Sequence, residues 1–128
     1  MESKIREGIS ALIEKVVTED ETASKYASGA VQVYATPAMI GLMENTAKSA
    51  VDLHLCNGDT TVGIEVNIKH LKATPVGMKV KCEAILEKVE GKKLYFKVTA
   101  WDEKGLIGEG VHIRYIVNMK KFMEKLNN

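Results

Sequence analysis

The chain has 128 residues, of which 45% are hydrophobic, and it carries 18 Lys and Arg against 17 Asp and Glu. This length predicts a single domain over residues 1–128 with one core. The charges are interspersed and sum to +1 at pH 7, so nothing indicates an electrostatic surface for nucleic acid or for a membrane. No apolar run approaches the length of about 20 residues that spans a bilayer.

The cysteine usage indicates a reducing compartment. Cys56 and Cys82 have no metal-ligand spacing around them, and no secretory apolar segment precedes the domain. We therefore expect a cytoplasmic protein, in which Cys82 is a small buried hydrophobe on a strand. His54 and His112 do not join His70 in a ligand spacing, so we expect no zinc site.

The N-terminal third predicts one strand and one loop. Residues 9–17 alternate in the manner of a strand, although a helix is the competing interpretation. Residues 19–33 are small and polar, which predicts a mobile loop of functional length. This loop leads directly into the segment that carries the first candidate site residue.

A long helix is predicted from Pro37 to about residue 55. Thr36 is the predicted N-cap and Pro37 the first helical residue. Apolar residues cover more than one stripe of this helix, so we expect it to be enclosed on most sides.

Four strands are predicted after the helix, over residues 61–72, 79–89, 93–101 and 106–117. The separators at 90–92 and 102–105 are short enough for hairpins. A flat sheet cannot enclose one long helix, so we expect an α+β hotdog fold, in which a curled antiparallel sheet of about five strands wraps around one central helix. Such a sheet leaves uncovered edges, which favours a homodimer; the polar tail at 118–128 is too short to cover them.

Two titratable residues fall on surfaces that the pattern marks as buried. Glu44 has mostly apolar neighbours in the helix, and His70 continues the apolar row Val62, Ile64, Val66 and Ile68. Glu44 is then a base toward water or a nucleophile, unless it simply pairs with Lys48 on the surface. His70 is either a general acid that needs no metal, or a core histidine bonded to a carbonyl group.

Three further residues are candidates near these two. Thr36 lies at the helix start, where free amides can polarise a carbonyl group. Gly63 allows close approach of a ligand, or marks a bulge. Arg114 follows Val111 and Ile113, which we expect to face inward, and it points to the opposite face, toward a phosphate of a ligand or toward solvent.

The motifs together resemble a known family. They are Ala35-Thr36 followed by Met39-Ile40-Gly41-Leu42-Met43-Glu44, then His70 ahead of Ala73-Thr74-Pro75-Val76-Gly77, and finally Gly110-Val111-His112-Ile113-Arg114. Over nearly the whole chain they resemble the fluoroacetyl-CoA-thioesterase-like branch of the hotdog thioesterases. The resemblance implies that Thr36, Glu44 and His70 hydrolyse an acyl-CoA substrate, with no cofactor.

The resemblance is incomplete in one loop. The fluoroacetyl-specific member carries phenylalanines over the acyl pocket, whereas this chain has Tyr26-Ala27-Ser28-Gly29-Ala30-Val31 there. We therefore expect a short- or medium-chain acyl-CoA thioesterase without fluoroacetyl selectivity. The alternatives are a hotdog module that binds acyl-CoA without turnover and, less favoured by the order Thr, Glu, His, a hotdog dehydratase.

Overall fold

The computed structural model describes residues 4–128 as a curled five-stranded sheet with one long helix against its inner face. The strands are β1 (Ser10–Val16), β2 (Asp59–His70), β3 (Lys79–Glu90), β4 (Lys93–Asp102) and β5 (Gly105–Asn118); the helices are α1 (Thr36–Asp52) and α2 (Met119–Leu126). A short 3-10 helix, Glu19–Glu21, follows β1. Within the described part of the chain, neither helix is long and apolar enough to cross a membrane.

The sheet is antiparallel, with the strand order β1-β3-β4-β5-β2. Strands β3, β4 and β5 form a meander through the two predicted hairpins. β2 does not join that meander, because it crosses over and pairs with β5 at the edge. The predicted hotdog fold is confirmed, and the five strands begin and end within two residues of their predicted bounds.

The core lies between α1 and the inner face of the sheet. Alternate residues of β4 are fully buried there and mark that face: Leu94, Phe96, Val98 and Ala100. The helix contributes Met39, Leu42, Met43, Ala47 and Val51. Cys82 is buried, as predicted, on the neighbouring strand β3.

A β-bulge interrupts β2 between Gly63 and Glu65. Before the bulge, Gly63 lies opposite Arg114; after it, Val66 lies opposite His112 and His70 opposite Gly108. These partners on β5 lie opposite the core residues of β4, so all of them belong to the inner face. The single apolar row predicted from Val62 to His70 is therefore wrong. Before the bulge the odd-numbered Gly63 faces inward, and after the extra residue the even-numbered Val66 and His70 face inward.

Both ends of the helical prediction need correction. The N-cap of α1 is Ala35, and Thr36 is already helical with Pro37 after it. The helix ends at Asp52 and not near residue 55, and Leu53, within the predicted enclosed helix, is 95% exposed. The polar tail forms α2, whose start is capped by the Asn118 side chain, which accepts a hydrogen bond from the Lys121 amide.

Two glycines test how closely the chain packs. A Cβ atom on Gly110 would overlap the Asn67 carbonyl oxygen and lie 2.8 Å from Ile68 Cα, whereas a Cβ atom on Gly41 in α1 would meet nothing within 4 Å. We expect Gly110→Ala to lower the free energy of unfolding by about 2 kcal/mol or more, because backbone must move. Gly41→Ala is the matched control and should raise it by about 0.5–1 kcal/mol. Urea denaturation measures both, and equal stability of the two variants would contradict the packing at Gly110.

Candidate active site

Thr36 and His70 meet where the start of α1 passes the end of β2. A hydrogen bond of 2.7 Å joins Thr36 Oγ1 and His70 Nδ1. The predicted capping bond from Thr36 is absent: the Ala35 cap shifts Thr36 into the first turn, and its hydroxyl group turns to the imidazole. Two of the three residues implied by the resemblance are therefore in direct contact.

The other ring nitrogen of His70 is buried. His70 Nε2 has no hydrogen-bond partner of normal geometry among residues 4–128. Burial lowers the pKa of His70, and the Lys72 backbone opposes this shift more weakly. The imidazole is thus neutral near pH 7, with Nδ1 fixed by Thr36 and Nε2 buried in the protein.

A cavity of about 300 Å³ lies beside this pair. Its walls come from the segment before α1, from α1 itself and from the segment after β2: Ala23, Ser28, Val33, Tyr34, Thr36, His70, Leu71, Lys72 and Ala73. The predicted loop at 19–33 therefore borders the cavity. It is less irregular than predicted, because Glu19–Glu21 is helical and Thr22 and Val33 form β-bridges with Tyr34 and Pro75.

Glu44 lies away from this pair, beside Gly63. A Cβ atom on Gly63 would lie 3.2 Å from Glu44 Oε2 and 3.4 Å from an NH1 atom of Arg114. Eight residues of helix separate Glu44 from Thr36, a rise of about 12 Å. The surroundings of Glu44 are more polar than predicted. The alternative prediction, a surface ion pair between Glu44 and Lys48, is wrong, because Lys48 Nζ pairs with Asp52 Oδ2 at 2.6 Å instead.

Arg114 lies on the inner face, so its predicted orientation is wrong. It is only 6% exposed, and its Nε and NH2 groups donate to Thr61 Oγ1 at 2.7 Å and to the Thr61 carbonyl oxygen at 2.9 Å. Ile113, on the opposite face, is paired with Tyr95 and Glu65. A contact with solvent or with a phosphate on the outer face does not fit this position.

His112 lies beside Arg114 on the inner face, and no role was predicted for it. It is 1% exposed, and its Nε2 atom accepts a hydrogen bond from Arg114 NH1 at 3.1 Å. The spacing of His112 and Arg114 at i and i+2 on a strand was the signal, since it places both on one face. The candidate site residues thus fall into two polar centres, Thr36 with His70 and Glu44 with Gly63, His112 and Arg114.

Comparisons with known proteins agree with this fold and with the resemblance to the thioesterases. The profile of the fluoroacetyl-CoA-specific thioesterase family matches residues 17–120. The fluoroacetyl-CoA thioesterase of Streptantibioticus cattleyicolor is 37% identical over 95 residues, 74% of this chain and 68% of that protein.

Two solved structures are similar over almost the whole chain. A phenylalanine-to-alanine variant of the fluoroacetyl-CoA-specific thioesterase, in complex with fluoroacetate and CoA, has a TM-score of 0.86 and 33% identity, covering 92% of this chain and 99% of that one. A thioesterase superfamily member from Thermus thermophilus has a TM-score of 0.89 and 33% identity, covering 96% and 91%.

The fold and the matched relatives define a hotdog-fold thioesterase, an enzyme that hydrolyses thioesters. Within that class, the chain belongs to the family of fluoroacetyl-CoA-specific thioesterases.

The lowered pKa of His70 gives a testable pH dependence. Unfolded histidine takes up its proton near pH 6.5, whereas the folded protein resists protonating His70 until a lower pH. The unfolded state therefore binds more protons in that window, and His70 makes the free energy of unfolding fall as the pH drops below about 6.5. NMR titration of the His70 ring should give a midpoint below that of the urea-unfolded chain. A midpoint equal to or above it would contradict the buried neutral imidazole.

Proposed function

We propose that this protein is a cytoplasmic homodimer that hydrolyses short- or medium-chain acyl-CoA thioesters to the free acid and CoA, without a cofactor. The catalytic residues in this proposal are Thr36, Glu44 and His70. The observation that carries it is the Thr36–His70 pair at the wall of a cavity: Thr36 holds His70 Nδ1, and the buried Nε2 atom has no hydrogen-bond partner of normal geometry among residues 4–128. The match to thioesterases that act on CoA esters supports CoA as the thiol carrier.

The Thr36–His70 pair supplies a hydrogen-bond donor. When Nδ1 accepts a hydrogen bond from the Thr36 hydroxyl group, the neutral ring carries its own proton on Nε2. That proton can be donated to the carbonyl oxygen of the thioester or to the departing sulfur atom. The amides at the start of α1 act in the same direction on the carbonyl oxygen.

Glu44 supplies the base or the nucleophile. A carboxylate can activate water or attack the thioester carbonyl directly, and both routes require the same carboxylate group. Glu44 is about 12 Å along α1 from the Thr36–His70 pair of its own chain, too far to act on the same carbonyl group. We therefore place the Glu44 of one subunit with the Thr36–His70 pair of the second copy.

The edge strand β2 supports this assembly. It has 12 residues and pairs with β5 on one side, and Ile64 and Val66 are 51% and 42% exposed. Antiparallel pairing of two β2 strands would cover that edge and continue the sheet. It would also bring the His70 end of one strand toward the half of the other strand that carries Gly63. In this site, Gly63 and Arg114 contact the acyl end of the substrate beside Glu44.

The assignment and the assembly can be tested together. We expect purified protein to release CoA thiol from acyl-CoAs, and Glu44→Gln and His70→Ala each to lower kcat by about 100-fold or more, because each removes a proton-transfer group. A dimer purified with one copy of each variant should regain about half of the wild-type turnover, since one of its two sites combines an intact Glu44 with an intact His70.

Two results would contradict these assignments. Thiol release by Glu44→Gln at the wild-type rate would remove Glu44 from the chemistry. An inactive mixed dimer, with circular dichroism showing both chains folded, would mean that each site lies within one chain. If the wild-type protein bound CoA esters without releasing thiol, the non-catalytic binding module would be the better description.

Acyl-chain selectivity tests the cavity near the loop. Ala23 and Ser28 present little bulk to it, so longer acyl chains have room. Each buried methylene contributes about 0.8 kcal/mol, so kcat/KM should rise from acetyl-CoA to hexanoyl-CoA, with little discrimination between acetyl and fluoroacetyl. Ser28→Phe should remove the preference for long chains. Val31→Phe, at a position that is 62% exposed, is the control and should keep it. A strong preference of the wild-type protein for fluoroacetyl-CoA would overturn the argument.

A further inference from the structure

The inner face between β2 and β5 carries a buried polar cluster that the chemistry assigned to Thr36, Glu44 and His70 does not explain. His112 and Arg114 are 1% and 6% exposed, and Thr61 is 4% exposed. Burying such groups is costly unless every one of them is well bonded. The hydrogen bonds of His112, Arg114 and Thr61 therefore show which group the cluster orients.

The bonds fix the protonation state of His112. Its Nδ1 atom lies 2.8 Å from the carbonyl oxygen of Glu65, which can only accept, so Nδ1 carries the proton. Its Nε2 atom lies 3.1 Å from Arg114 NH1, which can only donate, so Nε2 is the acceptor. Burial, the largest effect, lowers the pKa of His112, in agreement with a neutral ring.

All three described hydrogen bonds of the Arg114 guanidinium go to neutral acceptors. They are Thr61 Oγ1, the Thr61 carbonyl oxygen and His112 Nε2. A guanidinium group has five N–H donors, so two remain after these bonds. Among residues 4–128 no carboxylate is hydrogen-bonded to the guanidinium group, so its positive charge is held in one orientation by neutral groups. The charges of Glu44 and, more weakly, Asp52 still act on it from a distance.

Gly63 leaves a gap at the point where these groups converge. A Cβ atom there would lie 3.0 Å from His112 Cε1, 3.2 Å from Glu44 Oε2 and 3.4 Å from Arg114 NH1. A side chain on Gly63 would force the nearest of these groups to move. The gap therefore brings a carboxylate and a fixed cation next to the same small volume.

We propose that His112 is a positioning residue that orients the Arg114 guanidinium beside Glu44 at the Gly63 gap, where Arg114 donates to the acyl group of the bound thioester. The inference rests on the thioesterase function proposed above. His112 itself does not touch the substrate. Its contribution is made through Arg114, because loss of the Nε2 acceptor lets the guanidinium group rotate or pair with Glu44.

Variants of His112 separate this role from a structural one. His112→Asn can keep a donor toward the Glu65 carbonyl oxygen but loses the acceptor for Arg114, whereas His112→Gln can place an amide oxygen near the position of Nε2. We expect His112→Asn to lower kcat by about 10-fold to 100-fold with a smaller change in KM, and His112→Gln to recover most of the loss. His54→Ala, a histidine outside the cluster, is the control and should leave kcat unchanged.

A double-mutant cycle tests whether His112 acts through Arg114. In an Arg114→Ala background, His112→Asn should cause no further loss of kcat, because the group that it positions is gone. If the fold-loss of kcat in the double variant equalled the product of the losses in the two single variants, the proposal would be overturned. A His112→Asn variant that loses thermal stability but keeps the wild-type kcat in its folded fraction would also overturn it.

One measurement is independent of turnover. Nitrogen-15 NMR of the His112 ring in the wild-type protein at pH 7 should show a neutral imidazole with the proton on Nδ1. A charged ring, or a proton on Nε2, would refute the positioning role whether or not the protein proves to be a thioesterase. Lack of thiol release by the wild-type protein would refute the proposed function, and the NMR result would still decide how His112 and Arg114 are bonded.

Discussion

The β-bulge at Gly63–Glu65 is the constraint on which both polar centres depend. Side chains of a regular strand alternate between its two faces, so positions 63 and 70 would lie on opposite faces of an unbroken β2. The extra residue at the bulge reverses the alternation of the side chains after it, so Gly63 and His70 both face α1. The bulge also puts Glu65, whose carbonyl oxygen holds His112, directly after the inserted residue.

The elements of the fold were predictable because their signals are local. Hairpin turns, alternating strands and an apolar helix start can be recognised within a few residues, and the need to enclose one long helix implied a curled sheet. The bulge was not predictable in this way. Val62, Ile64, Val66 and Ile68 form an unbroken apolar alternation, and only Gly63 hints that the register changes.

The orientation of β5 was assigned to the wrong face for a related reason. Its inner positions are Gly108, Gly110, His112 and Arg114, which an apolar pattern assigns to solvent, whereas its outer positions include Val111 and Ile113. Whether Thr36 caps α1 or contacts His70 depends on whether the N-cap is Thr36 or Ala35, and sequence patterns do not resolve a difference of one residue. Glu44, His70 and Thr36 could be named from the motifs, but which of them touch could not, because contact depends on the offset of α1 along β2.

The glycines of β5 also determine how near α1 can come to the sheet. A Cβ atom on Gly108 would collide with Met39, whose Sδ and Cε atoms would both lie 2.6 Å away, and Gly108 is the pairing partner of His70. Met39 is fully buried one turn after Thr36, so its thioether acts as the spacer between the first turn of the helix and the end of the strand. Oxidation of that sulfur to a sulfoxide would add a polar oxygen where there is no room for one. The helix start would then move off the strand, and Thr36 would lose its contact with His70.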